Sequence, residues 1–131
     1  MTMSSSLAPW APRVLSILRL IAGLLFLEHG LVKLAGFPGP GPANMTTLLY
    51  AAALIETIGG ALVAVGLFTR LAAFIMSGEM AVAYFLRHAP QGFFPILNHG
   101  EDAILYCFIF LYLAAAGGGA WSLDRGMRRV D

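Results

Sequence analysis

The stretch MTTLLYAAALIETIGGALVAVGLF, residues 45–68, carries one ionisable side chain, Glu56, in an otherwise apolar run. A helix of ~20 such residues crosses the hydrocarbon core of a bilayer. Three more runs of the same kind flank it, at 14–34, 71–86 and 102–116. The third is short for a span, so it implies tilt or local thinning of the bilayer. Apolar residues make up 59% of the 131-residue chain and charged residues 11%, where a soluble domain has about 25% charged. So little polar surface cannot cover a small water-soluble globule, which excludes a soluble enzyme and a disordered chain alike. The eight Lys and Arg are dispersed and the net charge is only +1, so no nucleic-acid partner is expected. The partner is the lipid bilayer.

In lipid every backbone group must be satisfied within the chain, so the four runs are read as helices. The sequence therefore predicts an all-α membrane protein, a four-transmembrane-helix up-down antiparallel bundle. Residues 1–13 are expected to form an N-terminal tail, 14–118 the helical domain and 119–131 a C-terminal tail. The first run is long and holds Glu28, His29 and Lys33, so it is read as a retained helix and not a cleaved signal. Between the first two runs, Gly36-Phe37-Pro38-Gly39-Pro40-Gly41-Pro42 is a stiff turn. Thr69-Arg70 leaves room only for a tight hairpin. The longest link, 88–100, carries Phe93, Phe94, Ile96 and Leu97 between and beyond its prolines, and is expected to lie in the interface or dip back as a lid.

Orientation follows the Lys/Arg balance. Arg13, Arg19, Arg70, Arg125, Arg128 and Arg129 fall on the side of the termini, against Lys33 and Arg87 on the other. Both termini are therefore expected in the cytoplasm, with the last arginines forming a solvated tail. The single cysteine, Cys107, forms no internal disulfide and no CxxC site, and reads as a small packing residue.

Ionisable residues within the spans mark function by default, because lipid penalises them. Glu56 and Glu79 fall near the bilayer middle, counting ~1.5 Å per helical residue. Glu28, His29 and Lys33 lie toward the far end of the first helix, with Arg87 and His88, and His99, Glu101 and Asp102, ending and starting their neighbours. Ala52, Glu56, Gly60 and Ala64 share one stripe, as do Ile75, Glu79, Ala83 and Arg87. An internal polar pocket is expected, closed toward the cytoplasm and opening under the Phe93-Phe94 loop. The plainer alternatives stand beside this. Glu56 and Glu79 would lock the bundle by pairing with Arg87, Lys33 or a histidine. The histidines would satisfy backbone groups, Glu101 and Asp102 would cap a helix, and Lys33 and Arg87 would snorkel.

Several ordered spacings resemble the DoxX family of small bacterial four-helix membrane proteins: Arg19-x3-Gly23-x2-Phe26-x3-Gly30-x2-Lys33, Glu56-x2-Gly59-Gly60, Gly66-x2-Thr69-Arg70, Met80-x2-Ala83-x4-His88, Gly92-Phe93-x-Pro95-x2-Asn98-x-Gly100-Glu101, and Gly117-x-Gly119 with Ser122-Leu123-Asp124. The resemblance implies a multi-pass protein of the bacterial cytoplasmic (inner) membrane, in a group linked to quinone and thiol redox metabolism. It also implies kinship with bundles that use paired cysteines, which this chain lacks. The leading expectation is a quinone- or small-aromatic-linked redox protein or subunit. In it Glu56, Glu79 and His88 transfer protons and Arg87 polarises a carbonyl oxygen. Glu28, His29, Lys33, Phe93, Asn98, His99 and Glu101 bind the substrate. No flavin, haem or iron–sulfur motif is present in the sequence, so electrons would come from a redox partner protein or the ligand. The alternatives are a non-catalytic subunit organising such a partner and, third, a metal or proton-coupled transport site. No recognised metal-ligand spacing supports the last; the sequence leaves the cofactor open, a quinone being possible.

Overall fold

Glycines set how closely the first two helices approach. The structure, a computed structural model, describes residues 3–127. Helix α1 covers Ala11–Ala35 and α2 covers Thr47–Val65. A Cβ on Gly60 would stand 2.5 Å from the Leu27 nitrogen, and one on Gly23 2.5 Å from that of Ala64. At Gly30 it would meet Thr57 Oγ1 at 2.2 Å. These contacts run in opposite chain directions, so the pair is antiparallel with backbones nearly touching, the small-residue packing of helices in lipid. Gly36, in the left-handed region at φ 64°, ends α1 with its N–H on the Val32 carbonyl. Thr46 starts α2 by accepting from the Leu49 N–H at 3.2 Å.

The second pair is α3, Thr69–Gln91, and α4, Glu101–Ala116. Ser77 Oγ donates to the Cys107 carbonyl at 2.7 Å, and Arg70 donates to the Ala115 carbonyl. A Cβ on Gly100 would strike the Tyr84 ring. This pair too is antiparallel. Across the bundle Met76 fills the space beside Gly59, and Phe26 packs edge-on against Phe110 with ring centres 4.8 Å apart. Ala22, Val63, Ala73 and Leu113 complete the core. Ile17, Ile21, Phe74, Leu105 and Phe108 face outward, an apolar exterior suited to lipid and not to water.

Three helices are long and apolar enough to cross a membrane: Ser5–Ala35, Thr47–Val65 and Thr69–Gln91. α4 has 16 residues. No strand occurs among the described residues. Three sequence expectations change. The segment read as an N-terminal tail is helical from Met3 and runs into α1. The third helix extends beyond Leu86 to Gln91, because Pro90 sits in the first turn of a 3-10 segment, where its missing N–H costs nothing. The segment after α4 does not trail away but folds back onto the bundle as far as a short helix, Leu123–Met127. Arg125 in that helix is exposed, whereas Arg128 and Arg129 lie outside the described residues.

Candidate functional site: a polar cavity between apolar walls

Two π-helical turns, each a widened turn that re-aims its side chains, lie where the ionisable groups sit. One is Ile55–Gly59 in α2 and the other Tyr84–His88 in α3. Such turns are frequent at functional sites. The first carries Glu56 inward, where it is 1% exposed. Lys33, one helix away on α1, donates to both its oxygens, at 2.8 and 2.5 Å. Among the described residues this is the one salt bridge. Glu79 of α3 lies within electrostatic reach of both Glu56 and Lys33. Its Oε1 is buried and makes no hydrogen bond among the described residues.

These groups line a cavity of about 570 Å³ at the Lys33 end of the bundle. Phe26, Leu48, Leu49, Val82, Leu86 and Tyr106 supply its apolar walls, and Arg87, His88, His29, His99 and Asp102 its remaining charged or titratable groups. Both mid-helix carboxylates therefore open onto one inner space. Its size and mixed lining fit a small-molecule pocket. Of the predicted site, Glu56, Glu79, Arg87, His88, His29, Lys33 and His99 line it.

Four predicted residues do not line it. Glu28 is exposed, on the neighbouring face of α1 to His29, as the ~100° between successive helical residues requires. Glu101 is exposed in the first turn of α4, where a carboxylate complements the helix dipole. Phe93 points outward, 86% exposed, so the expected Phe93 roof over the cavity is absent. Asn98 is buried and spends its amide on the loop itself. Its Nδ2 donates to the Gly92 carbonyl at 2.9 Å and to the Tyr84 hydroxyl at 3.2 Å, and its Oδ1 accepts from the Gly100 N–H at 2.8 Å. The same residue's carbonyl lies 3.0 Å from His88 Nδ1, so Asn98 orients a cavity histidine from behind.

Sequence reading missed Tyr106 and Phe26. The Tyr106 ring meets His29 edge-on at 6.0 Å and stacks with Phe110 at 5.8 Å. His29 Nδ1 is held at 2.8 Å from the Leu25 carbonyl. The only available signal was that Phe26 and His29 lie one helical turn apart.

At the opposite end a second polar cluster closes the bundle. Arg19, 4% exposed, donates to the carbonyls of Gly118, Trp121 and Ala64. Ser16 Oγ accepts from the Trp121 N–H at 2.9 Å. Asp124 accepts from the Phe68 and Thr69 N–H groups at 2.8 and 2.9 Å, capping α3. This cluster is spent on backbone groups. Among the described residues no three His, Cys, Asp or Glu side chains gather as a metal-ligand set.

A family model described as DoxX matches residues 14–89. An uncharacterised protein of Haemophilus influenzae is 44% identical over 127 residues, covering 92% of this chain and 95% of its own. An uncharacterised membrane protein of Mycobacterium tuberculosis is 27% identical over 155 residues, covering 98% and 95%. A Bacillus subtilis protein named "Putative oxidoreductase CatD" is 30% identical over 113 residues, covering 82% of each chain. No solved structure matches the chain.

Proposed function

This chain belongs to the DoxX family, and on that premise we propose that it is a membrane redox protein, or a subunit of one, taking a quinone or similar small aromatic in its polar cavity. In this reading α4 is a fourth span, the protein lies in the bacterial inner membrane, and both termini are cytoplasmic. The observation that carries the proposal is the placement of Lys33, Glu56 and Glu79 together on a cavity otherwise walled by aromatic and aliphatic side chains. A ring fits the apolar walls, while its oxygens need charge and protons. The name of the Bacillus relative supports a redox role.

Reducing a quinone to its hydroquinone takes up two electrons and two protons, with the electrons supplied by a partner protein. This chain's own residues hold and move the protons. Glu79, whose Oε1 is buried without a hydrogen-bond partner, is assigned as donor, and His88, oriented by Asn98, as relay. Lys33 and Arg87 face the ligand's oxygens. Glu79→Gln and His88→Ala are each expected to depress quinone-dependent turnover about a hundredfold, the low side of general acid–base effects. Unchanged turnover in both variants rejects the assignment. Mass spectrometry of what co-purifies in mild detergent identifies the ligand directly.

A second reading, a non-catalytic subunit, draws on one contact: Lys33 also ties α1 to α2 through Glu56. Topology has its own check. A phosphatase fused after the last residue is expected to be inactive, and an active fusion reverses the orientation.

A further inference from the structure

α4 is too short for its place. At ~1.5 Å per residue its 16 residues span about 24 Å, against the ~30 Å of a hydrocarbon core. α3, with 23 residues, reaches about 34 Å. The two are level at one end, where Arg70 holds the Ala115 carbonyl. At the other end α4 begins beside Tyr84, seven residues before α3 ends at Gln91. The missing ~10 Å is filled by segment 92–100, which returns alongside the last turns of α3, with the Asn98 carbonyl 3.0 Å from His88 Nδ1.

We propose that this returning segment is embedded in the membrane, with Phe93, Phe94, Ile96 and Leu97 inserted among the acyl chains of the leaflet on the Lys33 side. Three observations carry this. These four side chains are 61–86% exposed, and Phe85 in the last turns of α3 is exposed as well. No charged residue occurs from Ala89 to Asn98. Part of the backbone, chiefly from Leu97 to Gly100, is also satisfied from within, as lipid demands of a non-helical segment. The Gly92 N–H donates to Ala89, those of Leu97 and Asn98 to Phe94, and those of His99 and Gly100 to Pro95. Pro90 and Pro95 have no N–H to satisfy. The buried Asn98 amide, bonded on both sides, holds the segment in one shape.

Resting on the reading of the cavity as a ligand site, the consequence is that its ligand is membrane-soluble. His88, Gln91 and His99 of the cavity lining then stand at lipid depth, and access past them is lateral.

The test uses full-length protein in lipid nanodiscs, with Cys107→Ala as background and nitroxide labels at Phe93→Cys, Ile96→Cys or Leu97→Cys. Gly39→Cys, in open space in the other loop of the same end, is the aqueous control. At 93, 96 and 97 oxygen is expected to relax the label several-fold more strongly than a water-soluble nickel chelate, with the order reversed at 39. All three replaced side chains are mostly exposed, and the one ring contact the substitutions remove is that of Phe93 with Phe94. Nickel accessibility at 93, 96 and 97 equal to that at 39 overturns the proposal and marks a water-facing surface for a protein partner. This readout is independent of whether the cavity holds a quinone, which mass spectrometry decides separately.

Discussion

Arg19→Leu is expected to lower the stability of the detergent-solubilised protein by about 3–5 kcal/mol, the cost of breaking a buried charged network by removing one partner. The guanidinium donates to the carbonyls of Gly118, Trp121 and Ala64, and it lies within reach of Asp124. Leucine fills some of the volume but supplies no donor. It therefore takes the donor from the Trp121 and Ala64 carbonyls, each at ~1–3 kcal/mol, while the Gly118 carbonyl keeps Ser16 Oγ at 3.3 Å. Thermal unfolding should shift down by roughly 10 °C or more. The segment from Gly118 to Arg125 should also become sensitive to trypsin before the rest of the chain, since its docking depends on this side chain. Arg19→Lys keeps the charge but not the planar fork that reaches several carbonyls at once, and is expected to fall between. Arg125→Leu, at an exposed position, should change stability by less than about 0.5 kcal/mol. An Arg19→Leu protein as stable as Arg125→Leu would show that the closed end does not depend on this cluster.

The difference between the two ends of the molecule also marks what the sequence could disclose. The apolar runs and the glycine-proline turn announced the helices, because hydrophobicity over ~20 residues depends on the bilayer and little else. The inward direction of Glu56 was legible from the small residues sharing its stripe, Ala52, Gly60 and Ala64. Arg19 was not legible in the same way. Its partners are backbone carbonyls, one 45 and two about 100 residues away, and every residue has a carbonyl, so no side-chain pattern points to them. The third helix outran its apolar stretch, since a proline is tolerated in the first turn of a helical segment. Here Pro90 opens a 3-10 turn. Asn98 and Phe93 share one motif, yet one braces the loop and the other faces outward. Spacing along the chain does not encode which way a non-helical segment turns. Tyr106 escaped notice because a single tyrosine in an apolar helix looks like any other wall residue.

Lys33→Met is expected to cost about 3–5 kcal/mol, as it strands Glu56 at 1% exposure without its cation. Glu56→Leu alone should cost less, because Lys33 is 21% exposed along its side chain and its long stem can carry the ammonium outward. The double variant Lys33→Met/Glu56→Leu separates the two readings of the cavity. If the pair only fastens α1 to α2, the double variant should recover most of the stability lost in Lys33→Met, since apolar replacement of a buried ion pair is often neutral or better. Ligand retention and turnover should then recover with it. If the pair serves the ligand, stability returns while ligand retention and quinone-dependent turnover stay lost. The coupling expected in the stability cycle is on the order of 1–3 kcal/mol, as for residues in direct contact. The redox proposal requires the second pattern. Lys33 contacts both Glu56 oxygens while Glu79 Oε1 beside them has no partner. A pair meant only as a fastener gives no reason to keep that third carboxyl on the same cavity, and a ligand with an oxygen to accept its proton does.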